Sequence, residues 1–442
     1  MIQEAMQAAR QLYVAGHKTE ALSILKEAVR GYPDEPMPIY MLSMWLLEDG
    51  QDHLAIPVLR DAITLSPKNP EMWSNLGGLY KKSEHIAKAV ECYQVALGLD
   101  EKFAPALKGM AGCYVNKGNP EPGIRFARKA LEIEGPHKVA ARNDLSLLLL
   151  ESGKWEKGFK EYRGRDQLPM FHVRDYGKVP RWDGKKVGKL AVHAEQGLGD
   201  EILFASCLSD LAPFADKIVG ECNERLLSLF RRSFPAITWY PTHEELMAAE
   251  SGIDAWERLG DLPGWFRKSP SDCPGTPFIK ADPAKVAGYR ARLEALGEGP
   301  YVGFAWLGGT SATHRADRRA PRRMWADLIS AAAGVKVSLQ YGDDGEQQAQ
   351  EMGLHHWRPM IDDLDEFAAL IMALDAVVSS PQTAIHMAGA LGKTCLVPMS
   401  NKPAWRYQMT GPMPWYGSVN LIRQNGDDWA DVFDRVKVTL AD

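Results

Sequence analysis

The sequence predicts an α-helical solenoid followed by an α/β region of two parallel-sheet lobes. Three observations carry this reading. Small residues recur every 34 positions through the first third of the 442-residue chain, that period stops near residue 163, and from about residue 189 short apolar strands alternate with amphipathic helices. Composition agrees: 45% hydrophobic and 25% charged residues, with 52 Lys plus Arg against 57 Asp plus Glu and a formal charge of −5. Such values exclude a disordered chain, a collagen and a disulfide scaffold. A mildly acidic chain also repels phosphate backbones, so nucleic acid is not an expected partner. Residues 1–160 balance at 20 basic and 20 acidic side chains, which leaves the whole acidic excess to the rest of the chain.

The repeat is specific. Ala28, Ala62, Ala96 and Ala130 are 34 apart, as are Ala21, Ala55, Ala89 and Gly123, and Leu12, Leu46, Tyr80 and Tyr114. Gly16, Gly50 and Gly118 punctuate the units, and Pro33 and Pro67 close the first two. The third unit reads Trp73-x-x-Leu76-Gly77-x-x-Tyr80, then Ala89, Tyr93 and Ala96, which resembles the tetratricopeptide repeat. A helix hairpin of this kind cannot bury its apolar face alone, so the units must stack, small residues lying where helices cross and Trp73, Tyr80 and Tyr93 filling grooves. A fifth unit, slipped by one residue, is read in Gly153-Lys154-Trp155 through Tyr162, and Trp155 is assigned to solenoid packing.

Residues 163–187 carry linker and turn chemistry, including Val179-Pro180-Arg181-Trp182-Asp183-Gly184. Beyond them, strands are expected at 189–194, 217–221 and 236–240, with helices over 200–212 and 224–232. A connecting helix at 283–296 leads to strands at 301–306, 335–341, 376–379, 394–398 and 419–422. The predicted boundaries are a solenoid at 1–165, a linker at 166–187, a first lobe at 188–282 and a second lobe at 283–442. The six cysteines are scattered without a C-x-x-C pair, so no zinc site or disulfide framework is expected and each thiol reads as a small buried hydrophobe. No apolar run reaches the length of a membrane span. Met1 to Ala5 lacks the basic stretch and apolar run of a secretory leader, so a reduced, cytoplasmic setting is expected.

Ligands of open parallel sheets bind outside the carboxyl ends of the strands, which directs attention to three strand-to-helix turns. The first, His193 to Ile202, contains Gly197, Gly199 and Asp200, where two glycines admit close backbone approach. The second, Leu307 to Arg319, opens a stretch with five arginines between 315 and 323. Thr313, Arg315, Arg318 and Arg319 suit a phosphate, which guanidinium forks and hydroxyls hydrogen-bond, whereas Arg322 and Arg323 read as a solvated helix start. The third, Ser379 to Gly392, joins a strand to a helix whose first amides are available to an anion. Gln382 and Thr383 stand at its start and His386 one turn in. Asp343-Asp344 and Asp362-Asp363 read as caps and surface charge.

The segment from about 188 to 440 resembles the heptosyltransferase-type glycosyltransferases (family 9, GT-B fold). Pro180-Arg181-Trp182-Asp183-Gly184, His193 to Asp200, His386-x-Ala388-Gly389-Ala390-Leu391-Gly392, Trp405-Arg406 and Pro414-Trp415-Tyr416 carry the likeness. The resemblance implies a metal-independent glycosyl transfer from a nucleotide-sugar to an acceptor hydroxyl, glycan or protein, with no cofactor beyond that donor. It implies Asp200 as general base, the turn Thr313 to Arg318 at the donor diphosphate, and an acidic position near the ribose falling near Asp344; Trp405 and Trp415 are separately expected in the second lobe, near the cleft. Where the family has Asp-Thr-Gly/Ser at the donor phosphates, this chain has Pro381-Gln382-Thr383. That departure keeps a second reading open, a catalytically degenerate domain within a repeat-based binding or scaffold protein.

Overall fold

The computed structural model describes residues 1–168, 174–308, 319–426 and 428–441, and it divides into two compact units, Met1–Leu145 and Ser146–Asp442.

The first unit is helical. Its elements are α1 (Ile2–Val14), α2 (Lys18–Gly31), α3 (Pro36–Glu48), α4 (Asp52–Leu65), α5 (Pro70–Lys82), α6 (Ile86–Leu99), α7 (Ala104–Tyr114) and α8 (Pro120–Leu131), while α9 (His137–Glu151) runs through the division between units. Helices α1, α3, α5 and α7 begin 34 residues apart, and so do α2, α4, α6 and α8. The periodic alanines are the crossing points: Ala21, Ala55, Ala62, Ala89, Ala96 and Ala130 are wholly buried. Tyr93 shows why glycine recurs here. A Cβ on Gly109 would lie 2.3 Å from the Tyr93 ring and one on Gly77 2.8 Å from it, so the two glycines form the seat for the tyrosine. The turn between paired helices takes a left-handed residue, Gly16 (φ 90°), Gly50 (φ 75°) and Gly118 (φ 82°), but the third unit puts Glu84 (φ 62°) there.

The second unit opens with α10 (Trp155–Tyr162) and a 3-10 turn over Arg163–Gln167. The first sheet follows, built from β1 (Val187–His193), α11 (Leu198–Ala205), β2 (Ala215–Glu221), α12 (Leu227–Ser233), β3 (Ile237–Tyr240), α13 (His243–Ala249), β4 (Ala255–Arg258) and α14 (Leu262–Phe266). Helix α15 (Pro283–Glu294) leads to the second sheet: β5 (Tyr301–Ala305), α16 (Arg322–Ala331), β6 (Val335–Ser338), α17 (Asp343–Glu351), α18 (Pro359–Asp362), α19 (Leu364–Ala373), β7 (Ala376–Ser379), α20 (Thr383–Leu391), β8 (Cys395–Met399), β9 (Val419–Arg423) and α21 (Ala430–Ala441). Both sheets are parallel, in the orders β3-β2-β1-β4 and β6-β5-β7-β8-β9. Chain order therefore reverses between β1 and β4 and between β5 and β7, the two positions where a doubly wound sheet opens a crevice.

The strands are buried on both faces, as parallel sheets are. Val302, Phe304 and Val378 pack with Trp325 of α16 and Phe433 of α21, while Tyr301, Ala305 and Val377 turn to a core shared with α19 and α20. Hydropathy locates every strand but β4. Two of its four residues, Glu257 and Arg258, are charged yet fully buried, so no apolar run marks it. The helix expected over 200–212 stops at Ala205, and a 3-10 turn, Leu208–Phe214, continues around Pro213, which cannot donate to a helix. Trp155 departs from its solenoid assignment. It is wholly buried in the second unit, its ring 5.1 Å from Trp415 and 6.3 Å from Trp405. Trp405 and Trp415 are each 2% exposed in that same aromatic core, rather than lining a cleft. Among the described residues no helix is long and apolar enough to cross a membrane, and all six thiols are free, five of them buried.

Candidate functional site

Helices α11 and α20, one from each sheet, meet at their amino ends. Gly199 is the contact: a Cβ there would sit 3.0 Å from His386 Cδ2 and 3.6 Å from Thr383 Cα. Beside this crossing lies a cleft of about 600 Å³, lined by Leu198 of α11, Arg225, Leu339, Tyr341 and Gly342 beyond β6, Met360, Asp362, Leu364, Phe367, and Gln382 to Ala384 at the start of α20. The cleft thus lies outside the carboxyl ends of the second sheet, at its reversal point. Its walls are largely apolar. Its polar features are the amino end of α20 with Thr383, Arg225, Asp362, Tyr341, and Gln382, which is 8% exposed and whose Nε2 has no hydrogen-bond partner among the described residues. An amide donor beside free helix amides suits an anion or a carbonyl.

The loop leaving β5 is pinned to this place. A Cβ on Gly308 would be 2.4 Å from the Pro381 carbonyl oxygen. The buried Gln340 accepts at Oε1 from the amides of Trp306 (3.1 Å) and Leu307 (2.8 Å) and donates from Nε2 to the Leu307 carbonyl (2.9 Å). Gln340 thereby fixes the start of the arginine turn.

Asp200 is the third residue of α11, and it does not cap its own helix, whose N-cap is Gly197. Its Oδ1 instead accepts from Nε of Arg406, in the 3-10 turn Trp405–Tyr407 that follows β8. Burial works against the Arg406 charge, but Asp200 and Tyr162 more than offset it and hold the guanidinium above its ordinary pKa. The Arg406 guanidinium also lies 4.9 Å from the Trp405 ring, within cation–π range. His386 is buried: Nδ1 is 3.2 Å from the Tyr416 hydroxyl and Nε2 3.4 Å from that of Tyr407. Burial lowers its pKa to about 4, so the imidazole is neutral and packs the α11–α20 crossing. The Tyr416 ring in turn needs Gly389, where a Cβ would come within 2.3 Å of it.

The reversal point of the first sheet is filled rather than open. Arg165 pairs with Asp261 and Glu195, Arg181 with Asp261 and Glu257 (2.8 Å), Arg163 with Glu257 (2.9 Å), and Arg258 with Asp261 (2.6 Å). Burial alone would raise Asp261, but Arg165, Arg258 and Arg181 reverse that and hold its carboxyl low. Burial and the Asp261 charge push Glu257 upward. Tyr162 hydrogen-bonds Gln196 (3.1 Å), so the turn that precedes Asp200 is clamped at both Glu195 and Gln196.

A tetratricopeptide-repeat family model matches residues 70–103, the α5–α6 hairpin. Protein FlbA of Caulobacter vibrioides is 30% identical over 444 residues, spanning 93% of this chain and 73% of that protein. The chain belongs to the FlbA family. The mouse protein O-mannosyl-transferase TMTC1 is 27% identical over 165 residues, 36% of this chain and 17% of that protein. Among solved structures, MamA aligns with a TM-score of 0.34 at 18% identity, over 38% of this chain and 90% of that one.

In this FlbA-family chain the sequence-selected residues fall into three groups. Gly197, Gly199, Asp200, Gln382, Thr383 and His386 converge where α11 meets α20, and of these Gln382 and Thr383 line the cleft. Arg319 lies exposed just before α16, and Asp344 lies in the first turn of α17, after Gly342, with its side chain outside the described residues. Thr313, Arg315 and Arg318 lie outside the described residues altogether. Arg322, read as a solvated helix start, begins α16 and pairs with Glu351. Arg225, Gln340 and Arg406 were not singled out as site residues. Arg406 stood in a quoted motif, but nothing in the sequence joins positions 206 residues apart.

Proposed function

We propose that this FlbA-family protein is a glycosyltransferase that moves a sugar from a nucleotide-activated donor to an acceptor hydroxyl. The second unit is read as a GT-B pair of lobes, with boundaries at 188–282 and 283–442 behind a solenoid and linker. The observation that carries the reading is the cleft at the carboxyl ends of the second sheet, with the unpartnered Gln382 amide and the amino end of α20 at one side and Asp200 on the adjoining helix. The apolar walls suit a nucleobase and sugar, and helix amides with the arginine turn suit the diphosphate. Asp200 takes the proton of the acceptor hydroxyl as it attacks the anomeric carbon, and the nucleoside diphosphate leaves with the bonding pair. General-base action of this kind contributes about 10²–10⁴-fold. The family likeness to a protein O-mannosyl-transferase over 36% of the chain is consistent with a polypeptide acceptor held by the solenoid.

The test is a thermal-shift panel of UDP-, GDP-, ADP-, dTDP- and CMP-linked sugars, since a ligand of the folded state raises the melting temperature by mass action. One class of donor is expected to stabilise the protein, and Asp200→Asn is expected to keep that shift while losing transfer. Normal turnover by Asp200→Asn removes the base assignment. A second reading, a degenerate domain that serves as a scaffold, draws on Pro381-Gln382-Thr383 standing where the heptosyltransferase-type family has Asp-Thr-Gly/Ser; absence of a shift with every donor favours it.

A further inference from the structure

We propose that Arg406 is the positioning residue of the Asp200 carboxylate, supplied to the first sheet's helix by the second sheet. The inference rests on the transferase reading above and deepens it. Asp200 sits in the first helical turn, where a carboxylate ordinarily folds back onto its own helix amides. It reaches instead to Nε of Arg406, 206 residues away. The pairing fixes Oδ1, and among the described residues Oδ2 carries no hydrogen bond.

One contrast, exposure, separates this pair from the sealed Arg165–Asp261 pair. The Arg165–Asp261 side chains are 0% exposed, sealed from any substrate, whereas those of Asp200 and Arg406 are 22% and 20% exposed. Solvent reaches the Asp200 side chain, as an acceptor hydroxyl has to under the transferase reading. In addition, the Arg406 guanidinium rests on Trp405, which is fixed in the aromatic core with Trp155 and Trp415, so the arginine presents one donor direction at small entropic cost. Gly199, next to Asp200, touches Thr383 at the cleft mouth. Arg406 therefore sets where the carboxylate stands relative to the bound donor and does not itself take a proton.

The test compares wild type, Arg406→Gln, Arg406→Lys, Asp200→Asn and the double variant Asp200→Asn/Arg406→Gln, each checked for folding by its melting curve. Nucleotide release is followed from UDP-, GDP-, ADP-, dTDP- and CMP-linked sugars with cleared bacterial lysate as the acceptor pool. Arg406→Gln is expected to lose about 10²-fold in kcat, the scale of a misplaced reacting group, with donor KM unchanged to within about twofold. Added guanidinium ion is expected to restore part of that loss, and Arg406→Lys to retain more activity than Arg406→Gln. In the Asp200→Asn background, Arg406→Gln is expected to remove nothing further. Wild-type kcat in Arg406→Gln, or losses that multiply in the double variant, overturns the proposal. Should Arg406→Gln not fold, a kcat loss without a KM change in Arg406→Lys decides it. Normal turnover by Asp200→Asn defeats the base assignment, and no nucleotide release by the wild type from any donor defeats the transferase reading and this inference together.

Discussion

Asp200 and Glu201 are adjacent carboxylates with opposite environments. Asp200 faces Arg406 and solvent. Glu201 is 3% exposed, accepts from the Asn223 amide (2.9 Å), and is raised to about pKa 8 by burial. A carboxyl raised above its unfolded value of about 4.5 contributes stability that is fully present below that value and is lost as pH rises through about 8. Glu201→Gln, which keeps the shape without the proton, is therefore expected to flatten the pH dependence of the melting temperature between about 5 and 9 and to overtake the wild type at the alkaline end. Melting curves across that range check it. The neighbouring roles were only half legible. The G-x-G-D pattern singled out Gly197, Gly199 and Asp200, but which of two consecutive acids is buried depends on the angle at which α11 lies on the sheet.

At the level of elements, the repeat was readable because its cause is local. Each hairpin needs small residues at its crossings and a left-handed residue at its turn, and both needs return every 34 residues. The exception makes a prediction. Glu84 occupies the turn position that Gly16, Gly50 and Gly118 hold, with φ 62°, a conformation costing a side chain about 1 kcal/mol. Glu84→Gly is expected to stabilise the helical unit by roughly 0.5–1 kcal/mol, seen as a higher denaturation midpoint with an unchanged slope. Strand β4 marks the opposite limit. Its Glu257 and Arg258 are tolerated inside because partners arrive from Arg163, Arg181 and Asp261, and no window of sequence around β4 contains those first two.

Over the whole molecule, the architecture of a helical repeat followed by parallel sheets was legible, whereas the setting of α10 was not. Trp155-x-x-Gly158-Phe159-x-x-Tyr162 carries helical-repeat spacing, yet its apolar face meets Trp405 and Trp415. A helix with an apolar stripe does not specify which apolar surface it will cover. Removing Trp155, wholly buried, is expected to cost about 3–5 kcal/mol. Hydrogen exchange on Trp155→Ala is expected to show lost protection in Trp405–Tyr407 and α20, with α3 to α6 unchanged; equal losses in both units would contradict the assignment of this helix to the second unit.

The buried ion network also imposes an order in time. Arg163 precedes its partner Glu257 by 94 residues, and Arg165 precedes Asp261 by 96. At about 5–20 residues per second, the nascent chain waits roughly 5–20 s for those two acids. The reversal point of the first sheet therefore closes late in synthesis, only once β4 and the turn after it have emerged.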